Sequence, residues 1–370
     1  MNVQRIFDIL PYILSEYPQE DCFGAKVNGQ WTGTSTAAYV ETVKHLSAGL
    51  LSLGLKPGDK VAMVSNSRPE WNFTDMAILS AGMINVPMYP TISESDYKFI
   101  LNDAEVKIVF VADQELYAKV NAVKKDVPSL QEIYSFNRLE GVRHWTELVE
   151  AGKANPRADE LKTIQDNVKA NDLATLIYTS GTTGSPKGVM LSHDNIMSNM
   201  TSCAPLCSVS KGELVLSFLP MCHIFERMLV YMYQYAGARV YYAESMDTIG
   251  DNIREVHPVM FTAVPRLLEK VYDRIVAKGE TLEGISKKLF FWALDLGLKY
   301  EYNGGNGAWY TFKLGIARKL IFSKWKAALG GQVRTIVSGS APLQPRLARV
   351  FNGAGIKVQE GYGLTETSPV

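Results

Sequence analysis

A stretch rich in glycine and hydroxyl side chains, from Leu176 to His193, constrains this chain more than any other. It reads LIYTSGTTGSPKGVMLSH. The apolar residues at its start predict a buried strand. The ten residues from Thr179 to Gly188 are then all Ser, Thr or Gly, apart from Pro186 and Lys187. Such a segment cannot fill a core, whereas its glycines let the backbone approach a ligand and its hydroxyl and N–H groups suit phosphate oxygens.

The same segment could also be a flexible surface loop, as most loops of this composition are. A linker, however, would not lie between two apolar strands, and Lys187 adds a positive charge that suits phosphate. Pro186 stands five residues after Gly181, where the Walker pattern requires glycine, so the segment is not an ordinary P-loop. Phosphate binding is therefore the favoured interpretation.

The residues YTSGTTGSPKGVMLSH resemble, almost letter for letter, the phosphate-binding signature of the adenylate-forming enzymes. This superfamily includes acyl-CoA synthetases, luciferases and the adenylation domains of peptide synthetases. The resemblance implies that ATP is a substrate. It also implies that the phosphates contact a set of loop residues, namely Thr179, Ser180, Gly181, Thr182, Thr183, Gly184 and Lys187.

Composition limits the broad class of protein. Of 370 residues, 46% are hydrophobic and 21% are charged, so a large core can form and disorder is not expected. Lysine plus arginine and aspartate plus glutamate both number 38, so the net charge gives no reason to expect nucleic acid as a partner. The four cysteines, Cys22, Cys203, Cys207 and Cys222, lack a metal-ligand spacing. Cys203 and Cys207 lie one helical turn apart, which favours core positions over a disulfide, and the pattern therefore favours a reduced, cytoplasmic protein.

The N-terminal residues MNVQRIFDILPYILSEYP predict an amphipathic helix and not a signal peptide, because Asp8 and Pro11 interrupt the apolar part. No apolar run is long enough to cross a membrane. A peripheral membrane contact through helices such as 281–298 stays open, although the charge does not support it.

Strands and helices alternate along the chain, which predicts an α/β fold with parallel sheets flanked by helices. The strands are expected at 60–65, 84–88, 106–112, 173–178, 214–218, 238–242, 259–264, 333–338 and 356–360. The resemblance implies two similar lobes, which together form an incomplete large N-terminal domain of an adenylate-forming enzyme. Lobe one is expected at about 56–215, and lobe two at about 216–370 together with N-terminal helices in 1–55.

A second motif, FLPMCHIFERM, covers Phe218–Met228. From the residues alone, a single histidine after a strand is more often structural. In acyl-CoA synthetases, however, a similar Pro-x-x-His-x-x-Glu-Arg stretch lies beside the substrate carboxylate and the acyl tunnel. The resemblance therefore implies that His223 faces the carboxylate and that Phe225 and Tyr231 contact the acyl chain. The pair Glu226-Arg227 is most similar to the long-chain fatty-acid branch.

A third motif, VSGSAPL, covers Val337–Leu343. It predicts a strand that ends in small residues, where a ligand can press against backbone, and ligands of open α/β sheets bind at the carboxyl ends of strands. A tight strand-to-helix turn is a compatible alternative. The resemblance implies that Gly339, Ser340 and Ala341 border the adenine.

A fourth motif, QEGYGLTET, covers Gln359–Thr367. Its glycines free the backbone around Tyr362, whose ring could stack on a base. The resemblance implies that Thr365 holds the α-phosphate and Glu366 holds Mg²⁺, for which one carboxylate plus phosphate oxygens suffices. The nucleotide-binding residues expected here are Gln359, Glu360, Gly361, Tyr362, Gly363 and Thr365.

Taken together, the motifs imply an ATP-dependent long-chain fatty-acid–CoA ligase. The fatty acid would form an acyl-adenylate and pyrophosphate, and the thiol of CoA, the co-substrate, would displace AMP. Thr365, Glu366, Lys187 and His223 are the expected catalytic residues. A nucleotide-binding module without turnover and a fatty acyl-AMP ligase that does not use CoA stay open. The pair Glu226-Arg227 argues mildly against the second of these.

The sequence ends at Val370, four residues after Glu366. The resemblance therefore predicts a fragment that lacks the small C-terminal domain and its adenylation lysine, and that is inactive or weakly active by itself. Acyl chain length and oligomeric state are not indicated.

Overall fold

The structure, a computed structural model, describes residues 3–179 and 186–370. The chain forms two compact units. The first contains Met1–Leu206, Leu219–Tyr242 and Leu364–Val370, and the second contains Cys207–Phe218 and Ala243–Gly363. Both units consist of segments that are discontinuous in sequence. The predicted lobe boundaries stay a proposal.

The strands of the described residues are mostly short, with four to seven residues each in all but one case. In chain order they are β1 (Phe23–Val27), β2 (Gln30–Thr34), β3 (Lys60–Val64), β4 (Ile84–Met88), β5 (Val106–Val111), β6 (Glu132–Ser135), β7 (Arg143–His144), β8 (Leu173–Thr179), β9 (Lys187–Ser192), β10 (Leu214–Ser217), β11 (Arg239–Tyr242), β12 (Met260–Ala263), β13 (Thr335–Ser338) and β14 (Lys357–Glu360).

Helices lie between most of these strands. They are α1 (Ile9–Glu16), α2 (Thr36–Ser52), α3 (Pro69–Ser80), α4 (Glu94–Asp103), α5 (Gln114–Lys124), α6 (Thr146–Ala154), α7 (Ala158–Asn167), α8 (His193–Cys203), α9 (Ile224–Tyr235), α10 (Ile249–Val256), α11 (Pro265–Glu280), α12 (Gly284–Leu298), α13 (Gly307–Ala317), α14 (Ser323–Ala328) and α15 (Pro345–Gly353). A π-helical segment, Arg318–Phe322, joins α13 to α14, and one of the short 3-10 segments covers Thr365–Thr367.

In the first unit, seven strands form one sheet in the order β7–β6–β5–β3–β4–β8–β9. The pairs are parallel except that β8 and β9 form an antiparallel hairpin. Apolar side chains of β3, β4 and β5 pack against α4 and α5 in a continuous core. The same unit holds β1, which pairs parallel with β11 and antiparallel with β2.

In the second unit, four parallel strands lie in the order β14–β13–β12–β10. Helix α12 packs against α13 and α15. The predicted α/β class, with mainly parallel strands flanked by helices, is therefore confirmed in each unit. No helix among the described residues is long and apolar enough to cross a membrane.

Local sequence signals explain many of the element boundaries. Helix α2 begins after Ser35, whose hydroxyl accepts from the N–H of Ala38, and α4 begins after Ser93 in a capping box with Asp96. Residues 1–55, for which N-terminal helices were expected, contain the helices α1 and α2 and also a hairpin of β1 and β2. Its turn is Asn28-Gly29, and both residues have positive φ (50° and 79°), as a type I′ hairpin turn requires.

A buried ion pair ties together the elements that carry the candidate site of the first unit. Arg227 on α9 donates from Nη2 to Asp75 Oδ1 on α3 at 2.5 Å, and both side chains are fully buried. Its Nη1 donates to Thr175 Oγ1 on β8 at 2.8 Å, and its Nε donates to the Tyr231 hydroxyl at 2.7 Å. Asn85 on β4 donates to Asp75 Oδ1 at 2.5 Å.

The environment of this pair keeps Arg227 charged. Burial alone would lower the pKa of Arg227, but Asp75 and Tyr231 raise it overall. Removing one member of such a pair would leave an uncompensated charge in a low-dielectric interior. The network therefore holds α3, β4, β8 and α9 in one arrangement.

We expect Arg227→Met to lower the free energy of unfolding by about 3–5 kcal/mol, because Asp75 would keep its buried charge without its partner. Urea unfolding followed by circular dichroism measures this change. Lys162→Met is the matched control: the Lys162–Asp166 pair is 74% and 62% exposed and should contribute less than about 1 kcal/mol. Equal effects of the two substitutions would contradict the importance of the buried pair.

His193, the first residue of α8, is also buried, and it is held in the neutral form. Its Nδ1 accepts from the backbone N–H of Ile6 at 3.3 Å, and its ring packs edge-on against Phe7. Its pKa is lowered from the ordinary 6.5 to about 4, mainly by burial and in smaller part by the charge of Arg5, while Asp8 and Asp172 oppose the shift. Below pH 6.5, the unfolded chain therefore takes up a proton that the folded chain excludes.

This depressed pKa predicts that His193 lowers stability as the pH falls from about 6.5 to about 4. The loss should reach about 3 kcal/mol, since each pKa unit corresponds to about 1.4 kcal/mol. The measurement is the free energy of unfolding against pH for the parent and for His193→Asn, which keeps an acceptor for Ile6. If the two proteins differ in free energy of unfolding by the same amount at every pH from 6.5 to 4, His193 is not the group responsible.

Candidate active site

The hairpin β8–β9 carries the ends of the glycine-rich segment. Thr179 lies directly opposite Lys187 in the antiparallel register, so paired strands hold the two ends of the glycine-rich segment together. The predicted contacts Ser180, Gly181, Thr182, Thr183 and Gly184 lie outside the described residues.

The two ends of the glycine-rich segment, Thr179 and Lys187, do not lie in irregular backbone. Both belong to strands, because the backbone pairing continues past the apolar residues. Lys187 is exposed, and within the described part of the chain it forms no ion pair. Its charge is therefore available to a ligand at the base of the loop.

The Thr365–Thr367 turn belongs to the first unit, although it lies far along the sequence from the hairpin. It contacts β9, the strand that begins at Lys187. The amide of Asn199 on α8 also donates to the carbonyl of Val370, which holds the end of the chain against the same unit. The fold thus brings the candidate Thr-Glu pair to the strand that carries the candidate lysine.

The side chains of this turn suit a hard cation that is bound mainly by phosphate oxygens. Thr365 is half-buried and Glu366 is exposed, and among the described residues Glu366 has no hydrogen bond or ion pair. Those residues contain no group of three or more acidic, His or Cys side chains that could hold a metal by themselves. A single carboxylate beside a hydroxyl fits Mg²⁺, because this ion keeps several waters and takes phosphate oxygens as ligands.

Glu360, a neighbour in sequence, is used differently. Its Oε1 accepts from the backbone N–H of Leu343 at 3.0 Å in the second unit. This hydrogen bond fixes the turn after β13, so one oxygen of Glu360 is already occupied. Glu366 is the better candidate ligand of the two carboxylates.

His223 is the N-cap residue of α9. Its Nδ1 accepts from the N–H of Phe225 at 3.2 Å, and burial lowers the pKa of its imidazole. A neutral ring that accepts at Nδ1 carries its hydrogen at Nε2, so Nε2 is a hydrogen-bond donor. The histidine is therefore both a helix cap and a candidate donor to a carboxylate.

Ser67, which no sequence motif marks, positions the turn before His223. Its hydroxyl donates to the carbonyl of Leu219 at 2.7 Å and accepts from the N–H of Met221 at 3.2 Å. These partners lie about 150 residues away in sequence, so no local pattern marks them. Of the two predicted acyl contacts, Phe225 is buried and Tyr231 has its hydroxyl in the Arg227–Asp75 network.

In the second unit, the two predicted adenine-binding segments adjoin each other. Strands β13 and β14 are parallel neighbours, and the N–H of Gly361 donates to the Ser338 carbonyl at 2.8 Å. After β13 the backbone turns through Ser340, which has a φ of 68°. The side chains expected to border the base are exposed: Ser340, Ala341 and Tyr362, the last of which is 90% exposed.

Comparisons with known proteins show the family to which the chain belongs. A model of the AMP-binding enzyme family matches residues 15–370. The long-chain-fatty-acid–CoA ligase FadD15 of Mycobacterium bovis is 32% identical over 347 residues, which cover 92% of this chain and 57% of the relative. The human long-chain-fatty-acid–CoA ligase ACSBG2 is 32% identical over 359 residues, covering 93% of this chain and 54% of the relative.

Solved structures share the fold at lower sequence identity. A long-chain-fatty-acid–CoA ligase (FadD1) from Archaeoglobus fulgidus superposes with a TM-score of 0.73 at 17% identity, covering 99% of this chain and 64% of that chain. The N-terminal domain of FACL13 from Mycobacterium tuberculosis superposes with a TM-score of 0.68 at 18% identity, covering 99% and 77%.

The match to the family model extends over nearly the whole chain, and the motifs that resembled the phosphate, carboxylate and adenine sites all lie within it. The chain spans about half the length of the curated relatives that it matches. It belongs to the AMP-binding enzyme family, and its relatives there include long-chain-fatty-acid–CoA ligases.

Proposed function

We propose that the complete protein activates a long-chain fatty acid with ATP and transfers the acyl group to CoA. One observation of the structure supports this most directly: β9, which begins at the candidate phosphate lysine Lys187, contacts the turn of Thr365 and Glu366. Together with the names of the relatives, this contact favours an adenylate-forming site over a general nucleotide-binding surface.

In the first step, a carboxylate oxygen of the fatty acid attacks the α-phosphorus of ATP, and the bond to the bridging oxygen of pyrophosphate breaks. Both reactants are anions, so the site must offset their repulsion. Lys187 supplies a positive charge, and the Thr365 hydroxyl donates to the α-phosphate. Glu366 would hold Mg²⁺, which when bound neutralises phosphate charge.

The acyl side of the site would begin at His223. Its Nε2–H can donate to the fatty-acid carboxylate without a change of protonation, because the ring is neutral. Arg227 is fully buried, so we assign it to holding α9 in place and not to contact with substrate. In the second step, the CoA thiol attacks the acyl carbon, the thioester forms and AMP leaves.

We also propose a reducing compartment, and specifically the cytoplasm. Cys22, Cys203, Cys207 and Cys222 are all free thiols in the structure. Proteins of oxidising compartments more often pair their cysteines in disulfides.

The proposal is tested with the complete protein by two assays, each with a panel of fatty acids. ATP–pyrophosphate exchange that depends on the fatty acid reports the adenylate, and thioester formation with CoA reports the second step. Exchange without thioester formation would identify a fatty acyl-AMP ligase instead. Nucleotide binding without exchange would identify a module without turnover.

We expect Lys187→Ala to slow ATP–pyrophosphate exchange in the complete protein, because a cation beside the transferring phosphate is removed. The loss of one electrostatic stabiliser costs on the order of 10²–10³ in rate, and the exposed position of Lys187 places the effect at or below the low end. Lys187→Arg is the matched control, since it keeps the charge. An unchanged rate in Lys187→Ala would limit Lys187 to a structural role in β9.

We expect Glu366→Gln to slow the exchange more than Lys187→Ala does, and added Mg²⁺ to restore only part of the rate. Glutamine keeps the size and one acceptor oxygen but lacks the charge that anchors a hard divalent ion. The measurement is exchange rate against Mg²⁺ concentration. Glu360→Gln is the control, because that carboxylate is bound to Leu343. If Glu366→Gln responds to Mg²⁺ like the parent, another group holds the metal.

A further inference from the structure

Helix α13 and the π-helical segment after it present an apolar face to solvent in the second unit. Trp309, Phe312, Ile316 and Leu320 are 69%, 59%, 39% and 47% exposed. They follow one another at intervals of three and four residues and so lie along one side of the helix. The opposite side is buried through Leu314, Ala317 and Ile321. We call the four exposed residues the Trp309–Leu320 stripe.

The charge around this stripe is strongly one-sided. Between Glu301 and Glu360 the sequence contains no acidic residue and nine basic ones, although the whole chain is balanced. Within the part of the chain that the structure describes, four lysines in or shortly after the stripe in sequence form no ion pair; they are Lys313, Lys319, Lys324 and Lys326. The Nζ of Lys313 lies 5.7 Å from the centre of the Trp309 ring.

These features identify the chemistry of the partner. Aromatic and aliphatic side chains on one face, in a segment that carries lysines and no acidic residue of its own, are the properties of helices that lie in a membrane interface. A second copy of the chain is disfavoured, because a symmetric contact would bring two identical basic surfaces together. An anionic lipid surface offers both a layer for the apolar side chains and phosphate groups for the lysines.

We propose that the Trp309–Leu320 stripe docks on the surface of an anionic bilayer. The four apolar side chains enter the boundary between headgroups and acyl chains, and the lysines lie among the lipid phosphates. The net charge of the whole chain is zero and therefore does not reveal this local excess of basic residues. The proposal goes beyond the activation of fatty acids and does not depend on it, since binding to lipid needs neither ATP nor turnover.

Sedimentation with lipid vesicles tests the proposal. We expect the chain to bind vesicles of phosphatidylcholine mixed with phosphatidylserine, to bind phosphatidylcholine alone weakly, and to lose affinity as salt is added. The double variant Trp309→Ser with Phe312→Ser should bind at least about tenfold more weakly, because two interfacial side chains are removed. Its control is Leu206→Ser with Met246→Ser, at two exposed apolar residues elsewhere.

The electrostatic part is tested by Lys319→Glu with Lys324→Glu, which should also lower binding to the anionic vesicles by about tenfold or more. Lys56→Glu with Lys125→Glu is the matched control at exposed lysines outside the stripe. Circular dichroism and thermal unfolding verify that every variant is folded.

A second measurement does not require the double variants. Lipids with brominated acyl chains should quench tryptophan fluorescence of the parent, and most of that quenching should disappear in Trp309→Phe. Binding that is equal in the stripe variants and their controls would overturn the proposal. So would quenching that survives Trp309→Phe. Concentration-dependent self-association that only the stripe variants abolish would assign the surface to a second copy instead.

Discussion

The buried pair of Arg227 and Asp75 is the interaction on which the arrangement of the first unit depends. A guanidinium and a carboxylate without access to water are tolerated only if nearly all their hydrogen-bonding groups are satisfied. Thr175, Asn85 and Tyr231 complete that set. Because these partners lie on different helices and strands, the hydrogen bonds that stabilise the buried pair also hold those helices and strands together. One consequence reaches the candidate site: β8 leads into the phosphate loop, and α9 begins at His223, so the same buried charge positions both.

The second constraint is the return of the chain to the first unit at its end. After Gly363, the segment Leu364–Val370 leaves the second unit, and its turn contacts β9. The Thr-Glu pair and the candidate lysine are thus neighbours by tertiary structure and not by sequence. The capping hydrogen bond between the Leu364 N–H and the Thr367 hydroxyl gives this short turn a definite shape. A site built in this way needs the chain folded around it before any of its residues can act together.

The sequence allowed the elements to be predicted well where their signals are local. Strand β4 was expected at 84–88, where it lies, because a turn signal bounds each side of a short apolar run. The β1–β2 hairpin was not predicted, although Asn28-Gly29 is a strong turn signal, because strong helical spacing in the neighbouring residues 35–53 dominates the pattern of that region. The partners of Arg227 could not be predicted in principle. Asp75 is 152 residues away, and nothing in the local pattern of either residue indicates a buried ion pair.

The hydrogen bonds within the protein also show which candidate residues have polar atoms left to bind a ligand. Tyr231 and Arg227 have their polar atoms occupied by each other and by Asp75, and an oxygen of Glu360 is bound to a backbone N–H. Lys187 and Glu366, in contrast, are exposed. Sequence motifs cannot make this distinction, because some residues inside a motif bind the ligand and others only stabilise the fold. A side chain whose donors are all used within the protein would have to break those bonds to contact a substrate. The polar atoms of Arg227 are bonded within the protein, and breaking its pair with Asp75 would leave a buried charge uncompensated. Arg227 should therefore influence acyl recognition only through the position of α9.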